Sequence, residues 1–97
     1  MKRFIIFYTG HATPPDASHA GWPEWFDQAG DALADRGSAL VNGLSVAHGV
    51  ATPSGLAVNG YSMLQAESLD ELRPLIDAHP YLAQGNGYSI EVFELPS

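Results

Sequence analysis

Apolar residues along the chain form four strand-like runs separated by polar or glycine-rich segments. The first run, residues 3–9 (RFIIFYT), is β-branched and aromatic without polar alternation, which is typical of a strand covered on both faces. The predicted strands span residues 3–9, 38–42 (or as far as Val46, with a break at Gly43), 58–66 and 88–95.

Two further segments have helical spacing. Over residues 22–36 one apolar stripe is formed by Trp22, Trp25, Phe26, Ala29 and Leu33, and Gly37 is placed for a C-cap. Ser68 and Glu71 form a capping box that starts a second helix at Leu69. Pro74 inside that helix predicts a short, distorted element ending near His79.

The element order β-α-β-β-α-β predicts an α+β fold of ferredoxin-like type. It would have a four-stranded antiparallel sheet with both helices on one face and the first and third strands central. Residues 47–57 are interpreted as a hairpin connection. Because residues 4–8 need cover on the second face as well, we expect a homodimer packed through that sheet face.

Composition narrows the classes of function. Ninety-seven residues predict a single domain over 1–97, and 45% hydrophobic against 15% charged residues indicates a covered surface. A net charge of −7 with only four basic residues argues against binding to nucleic acid or anionic membranes. Without cysteine, thiolate catalysis and Cys-ligated zinc are excluded. The apolar run over residues 4–8 is too short for a signal or membrane segment, so a cytoplasmic location is expected.

Residues 60–71 (GYSMLQAESLDE), followed by His79-Pro80 and by Ile90-Glu91-Val92, carry a resemblance to a known family. This order of motifs is similar to the C-terminal half of YCII-related (YciI-like, DGPF-type) proteins. The resemblance covers about the last 40 residues well and the first half only by element order. It implies one YCII-like domain that forms a dimeric α/β barrel from two ferredoxin-like units packed sheet to sheet.

The chain departs from the family at the residues thought to be active. YCII-like proteins often carry a His on the first helix and an Asp near the second strand. Here the helix position is Trp25 or Phe26, and residues 42–45 (NGLS) contain no acid. The Asp-Gly-Pro-Phe stretch is replaced by residues 52–55 (TPSG). The resemblance therefore implies the fold and the dimer but does not supply the catalytic pair.

Candidate catalytic residues are instead the histidines, with one neighbouring acid. His11, Asp16 and His19 share the loop over residues 10–21, where an imidazole oriented by a carboxylate is suited to acid/base chemistry. The same residues also suit a solvated polar lid, and their spacing matches no established metal site, so no metal is expected. His48, after the second predicted strand, is a further candidate base that would face the cleft between sheet and first helix.

Aromatic residues provide the candidate ligand contacts. Tyr8 ends the first strand beside the long loop, and Trp22 and Trp25 begin the first helix, where the helical spacing of Trp25 also favours a place in the core. The leading hypothesis is a cofactor-free dimer that binds a small, partly apolar molecule between first helix and sheet, with His-mediated proton transfer or elimination as the chemistry within reach. The alternative is a non-catalytic dimer acting as an accessory or ligand-sensing subunit. Whether the chain is an enzyme is left open by the sequence.

Overall fold

The computed structural model describes residues 1–11 and 21–96. Within these ranges the chain forms six strands and two helices, joined in part by short 3-10 turns at Gly30–Ala32 and Pro80–Gln84. The elements are β1 (Lys2–Thr9), α1 (Trp22–Ala29), β2 (Leu33–Ala39), β3 (Leu44–Ala47), β4 (Val50–Pro53), β5 (Val58–Ala66), α2 (Leu69–Asp77) and β6 (Ser89–Leu95).

Four of the strands make one antiparallel sheet in the order β2-β5-β1-β6, so β1 and β5 are central. In its register Ile6 lies between Ser62 of β5 and Val92 of β6. The predicted α+β class with a four-stranded antiparallel sheet is therefore confirmed. The predicted third strand has the bounds observed for β5, because its alternation of facing residues is local and regular.

The core lies between one sheet face and the two helices. Phe4, Ile6 and Tyr8 of β1 are buried, and they pack in one cluster with Trp25 of α1 and with Leu72 and Ile76 of α2. Alternation in β1 sends Ile5 and Phe7 to the opposite face, where they are only partly buried. The two helices thus cover one face of the sheet.

The predicted first helix over residues 22–36 is wrong in length. The helix ends at Ala29, and Gly30 adopts φ 52°, a left-handed conformation that favours glycine. Leu33, which matched the helical stripe, instead begins β2 and pairs with Leu64. The second strand accordingly spans residues 33–39 rather than 38–42, since an isolated apolar residue fits either periodicity.

Residues 44–53 form a two-stranded sheet of their own, whereas the sequence pattern predicts one strand reaching as far as Val46 and then a hairpin connection. β3 pairs with β4 around a turn at His48 and Gly49, with φ 51° and 78°. Positive φ at both central residues is the geometry that joins antiparallel strands in a tight hairpin. The hairpin is inserted between β2 and β5.

The capping box of α2 is confirmed in a modified form. The backbone N–H of Glu71 donates to the Ser68 hydroxyl at 3.4 Å, while the Glu71 carboxylate accepts from the N–H of Glu67 at 3.3 Å, one residue earlier than in the usual box. The helix passes through Pro74 and ends at Asp77. Neither α1 nor α2, the helices of the described ranges, has the length and apolar character needed to cross a membrane.

Candidate functional site

An aromatic cluster occupies the space between α1, α2 and the end of β1. We define the aromatic cluster as Tyr8, Trp22, Trp25, His79 and Tyr81. The His79 ring is its centre, with ring centroids 4.1 Å from Trp25, 4.6 Å from Trp22 and 4.9 Å from Tyr8. All members except the half-buried Trp22 are buried.

Local sequence explains why His79 turns inward. Pro80 follows it and fixes the start of a 3-10 turn, and the backbone N–H of Tyr81 then donates to His79 Nδ1 at 2.9 Å. The imidazole therefore caps this turn as an acceptor. Trp25 holds the other side, since its indole N–H donates to the Leu75 carbonyl at 2.8 Å and satisfies a group in the last turn of α2.

The buried polar groups form a hydrogen-bond chain with one direction. Because Nδ1 of His79 accepts, a neutral imidazole carries its proton on Nε2 and donates to the Tyr8 hydroxyl, 3.1 Å away. At the other end the Ser62 hydroxyl donates to the Arg36 carbonyl at 2.7 Å. The Tyr8 hydroxyl then donates to Ser62 Oγ at 2.7 Å. The chain runs from the Tyr81 amide to the Arg36 carbonyl.

Burial sets the charge state of this hydrogen-bond chain. It lowers the pKa of His79 to about 4 and raises the pKa of Tyr8 to about 12, the latter against the hydrogen bond with Ser62. Both side chains are neutral at pH 7. Among the described residues no buried side-chain nitrogen or oxygen lacks a hydrogen-bond partner, and the donors of His79, Tyr8 and Ser62 are all used within this hydrogen-bond chain.

A second network closes the rim of the cluster. The Tyr81 hydroxyl donates to the Thr9 carbonyl at 2.9 Å and accepts from the Asn59 amide at 3.0 Å. The same Asn59 amide donates to the His11 carbonyl at 2.9 Å. Burial raises the pKa of Tyr81, with a smaller opposing effect of Asn59. This network ties the end of β1 to the 3-10 turn after α2.

The predicted catalytic residues do not meet in one place within the described ranges. The His11 side chain is exposed and stacks edge-on against Tyr88, with ring centroids 6.0 Å apart. His48 lies exposed at the tip of the β3–β4 hairpin and not in the cleft beside α1, because the inserted hairpin carries it there. Asp16 and His19 lie outside the described residues.

The predicted ligand contacts do come together. Tyr8 and Trp25 are both buried and hydrogen bonded in the core, and Trp22 lies over Tyr8 with ring centroids 5.1 Å apart. The space between α1 and the sheet is thus filled by aromatic side chains. No group of three His, Cys, Asp or Glu that could hold a metal occurs among the residues with described positions.

Sequence reasoning missed Ser62 and gave His79 a different role. The sequence pattern places His79 only near the end of the second helix, whereas the structure shows its ring buried and neutral. Ser62 had a usable signal, because it shares a strand face with Leu64 and a buried hydroxyl requires a partner. The His-Pro-Tyr sequence at residues 79–81 gave no comparable signal, since the partner Tyr8 is 71 residues away.

The second sheet face carries an apolar patch. We define the open face as Ile5 and Phe7 of β1, Tyr61 and Met63 of β5, and Phe93 of β6, which are neighbours in the strand register. Phe93 is 58% exposed and meets Phe7 edge-on, with ring centroids 6.0 Å apart. Within the described part of the chain, neither helix contributes its buried residues to this face.

Comparison with known proteins adds no relative to this description. The chain matches no family model, no curated protein and no solved structure.

Proposed function

We propose that the chain is a homodimeric binding module of ferredoxin-like fold whose two copies pack through their open faces to form a dimeric α/β barrel. The observation that carries the proposal is the open face itself. Phe93, on the edge strand β6, is 58% exposed and lies beside the partly buried Ile5 and Phe7. Monomeric domains avoid contiguous exposed apolar patches of this kind.

The strand order supports the ferredoxin-like part of the proposal. With the β3–β4 hairpin treated as an insertion, the remaining elements follow the order β1-α1-β2-β5-α2-β6. These strands lie in the sheet as β2-β5-β1-β6, with the first and third of the four in the centre. Membership of the YCII-related family rests on the resemblance of residues 60–71 and of the motifs that follow them.

Size supports the dimer on independent grounds. A domain of 97 residues buries only about 60–65% of the surface of its unfolded chain, so its own core gives modest stability. Covering apolar area contributes about 25 cal/mol per Å². Packing two open faces together buries their five uncharged side chains, while Arg3 and Glu91 lie on the same sheet face beside them.

The module acts by binding rather than by catalysis. His11 and His48 are exposed on separate parts of the described structure, and the neutral chain through Tyr8 and His79 has every hydrogen-bonding group satisfied. These observations favour an accessory or ligand-sensing subunit over proton transfer or elimination. No cofactor is part of the proposal.

A small, partly apolar ligand is a second candidate function, and Trp22 is the observation that favours it. This indole is half-buried at the rim of the aromatic cluster, within 5.1 Å of the Tyr8 ring and 4.6 Å of the His79 ring by centroid distance. Indole is a suitable probe of the site. Saturable shifts of the His79 and Tyr81 resonances that disappear in W22A would support a ligand site here, and unchanged resonances would contradict it.

The dimer is tested by two matched substitutions, F93E and L69E. Phe93 lies on the open face, while Leu69 is an exposed apolar residue at the start of α2, on the helix layer. Light scattering during gel filtration should give a dimer for wild type and L69E and a monomer for F93E. Far-UV circular dichroism checks that F93E is folded. A folded F93E that remains dimeric to the same extent as wild type overturns the proposal.

A further inference from the structure

Residues 40–57, which we call the arm, extend from the four-stranded sheet between β2 and β5. Every residue of β3 and β4 is exposed. Of the nine exposed large hydrophobic side chains among the described residues, six belong to the arm. They are Leu40, Val41, Leu44, Val46, Val50 and Leu56.

The hairpin register sorts these side chains by face. Directly opposed residues in an antiparallel pair point to the same side. One face of the hairpin therefore carries two opposed apolar pairs, Leu44 with Pro53 and Val46 with Ala51. The other face carries the polar pair of Ser45 and Thr52 and, next to the turn, the apolar pair of Ala47 and Val50. Leu44 and Val46, 63% and 67% exposed, are the large residues of the apolar face.

The arm is also free of formal charge. Residues 40–57 contain no Asp, Glu, Lys or Arg, although the whole chain carries a net charge of −7. Protein surfaces that face water normally carry about one charged residue in every three or four. An uncharged segment can approach a second acidic copy without the like-charge repulsion that the rest of the surface would meet.

A lone two-stranded hairpin gains little from its own contacts. Such a hairpin is at best marginally stable in water and needs packing of one face to hold its shape. In the described structure the apolar face of β3 and β4 has no cover from the same chain. The hairpin is nevertheless fully paired from Leu44 to Pro53.

The open face alone is small for a stable dimer. Four strands spaced about 4.8 Å apart and seven residues long give a footprint of roughly 19 Å by 23 Å, on the order of 450 Å². A standard stable interface buries about 800 Å² of accessible surface on each partner, and side-chain relief makes the accessible area of a patch larger than its flat footprint. Part of this footprint is charged, because Arg3 and Glu91 lie on the same face. Additional apolar surface is available on the arm, which holds six of the nine large hydrophobic side chains that the described residues expose.

We infer that the arm packs its apolar face, centred on Leu44 and Val46, against a second copy of this chain and so completes the dimer interface. The inference rests on the proposed dimer and adds to it the segment that supplies the missing area. Each arm would reach across to its partner, and the two-fold symmetry of a dimer would make the contact reciprocal. The uncharged arm would meet the second copy beside the apolar side chains of the open face.

Two neighbouring substitutions of equal charge test the inference. V46D places a carboxylate on the apolar face of the arm, and S45D places one on the opposite face of the same strand. We expect V46D to raise the dimer dissociation constant at least ~10-fold, because it buries an unpaired charge, and S45D to change it less than about 2-fold. Sedimentation equilibrium measures both, beside wild type and F93E.

A second readout locates the arm directly. The chain has no cysteine, so S45C, on the face of β3 opposite Val46, accepts a single spin label that leaves the proposed contact intact. The spin-labelled copy, at natural isotope abundance, is mixed with ¹⁵N-enriched copies that carry no spin label. Paramagnetic broadening of the ¹⁵N-bound amide signals is then an intermolecular effect. Broadened amides in the ¹⁵N copy support the arm contact. A mixed dimer without broadening overturns it while leaving the dimer in place.

The outcomes separate the two proposals. If F93E is monomeric while V46D keeps the wild-type dissociation constant, the arm inference fails and the dimer stands. If wild type is a monomer, both fail. Binding of wild type to vesicles of neutral phosphatidylcholine that V46D abolishes, with the dimer unchanged by V46D, would identify a lipid surface as the occupant and overturn the inference.

Discussion

The Nε2 atom of His79 lies 3.1 Å from the hydroxyl of Tyr8, and both groups are buried. This contact joins the turn after α2 to the central strand β1 across 71 residues of sequence. Since Nδ1 of the same ring accepts from the Tyr81 amide, the contact has one allowed direction, with the imidazole as donor. The pair therefore specifies how the helical layer sits on the sheet.

Removal of the Tyr8 hydroxyl should destabilise the fold. In Y8F the Nε2–H of His79 loses its acceptor inside the core, which costs about 1–3 kcal/mol of unfolding free energy. Y88F is the matched control, because Tyr88 is half-buried and its hydroxyl has no hydrogen bond in the described structure, and it should change the free energy by less than about 0.5 kcal/mol. Urea unfolding at fixed protein concentration measures both. Equal losses of unfolding free energy in the two variants would contradict the hydrogen bond from His79 to Tyr8.

Stability should fall on mild acidification because of His79. The folded-state pKa is lowered to about 4 from the ordinary 6.5, so the unfolded chain binds the proton first. The contribution of the neutral His79 imidazole to the free energy of unfolding is fully present above pH 6.5. It is lost progressively between pH 6.5 and 4, by at most ~1.4 kcal/mol per pH unit.

H79Q should flatten that part of the curve, although it lowers the overall stability. H48Q, which removes a histidine exposed at the hairpin tip, should keep the wild-type slope. Urea unfolding at a series of pH values gives the comparison. A slope between pH 6.5 and 4 that survives in H79Q would contradict the assigned cause.

Two glycines with the same backbone angle should respond very differently to alanine. Gly37 and Gly49 have φ 77° and 78°. A Cβ at Gly37 would overlap the Tyr61 carbonyl oxygen on the neighbouring strand, whereas a Cβ at Gly49 meets no atom within 4 Å. We expect G49A to cost about 1–2 kcal/mol from the backbone angle alone and G37A to cost substantially more. Thermal unfolding distinguishes them, and similar losses would contradict the close approach of β2 to β5.

Most of the fold could be predicted because its signals are local. Strand β5 alternates regularly, and α2 opens with the capping pair of Ser68 and Glu71 and keeps its apolar stripe despite Pro74. The first helix was predicted too long because Leu33 fits a helical stripe and a strand equally well, and its pairing with Leu64 is a tertiary contact. The β3–β4 hairpin lacks a strongly alternating pattern of its own, so its strands were not distinguished from a connection.

The candidate site could be predicted only in part. Tyr8, Trp22 and Trp25 were recognised as aromatic residues near one end of the sheet, and they do meet there. The polar partners were not recognised, because Ser62 and His79 acquire their roles from contacts 54 and 71 residues distant in sequence. The catalytic interpretation of His11 and His48 relied on residue type alone. Both residues are exposed, and neither belongs to the buried hydrogen-bond chain.

The central claim is that two copies of this chain associate through the open face, and sedimentation equilibrium of the wild-type protein tests it most directly. At micromolar concentration the claim predicts a mass of twice the 10.4 kDa of one chain, with reversible dissociation on dilution. A single species of 10.4 kDa throughout the micromolar range would contradict it.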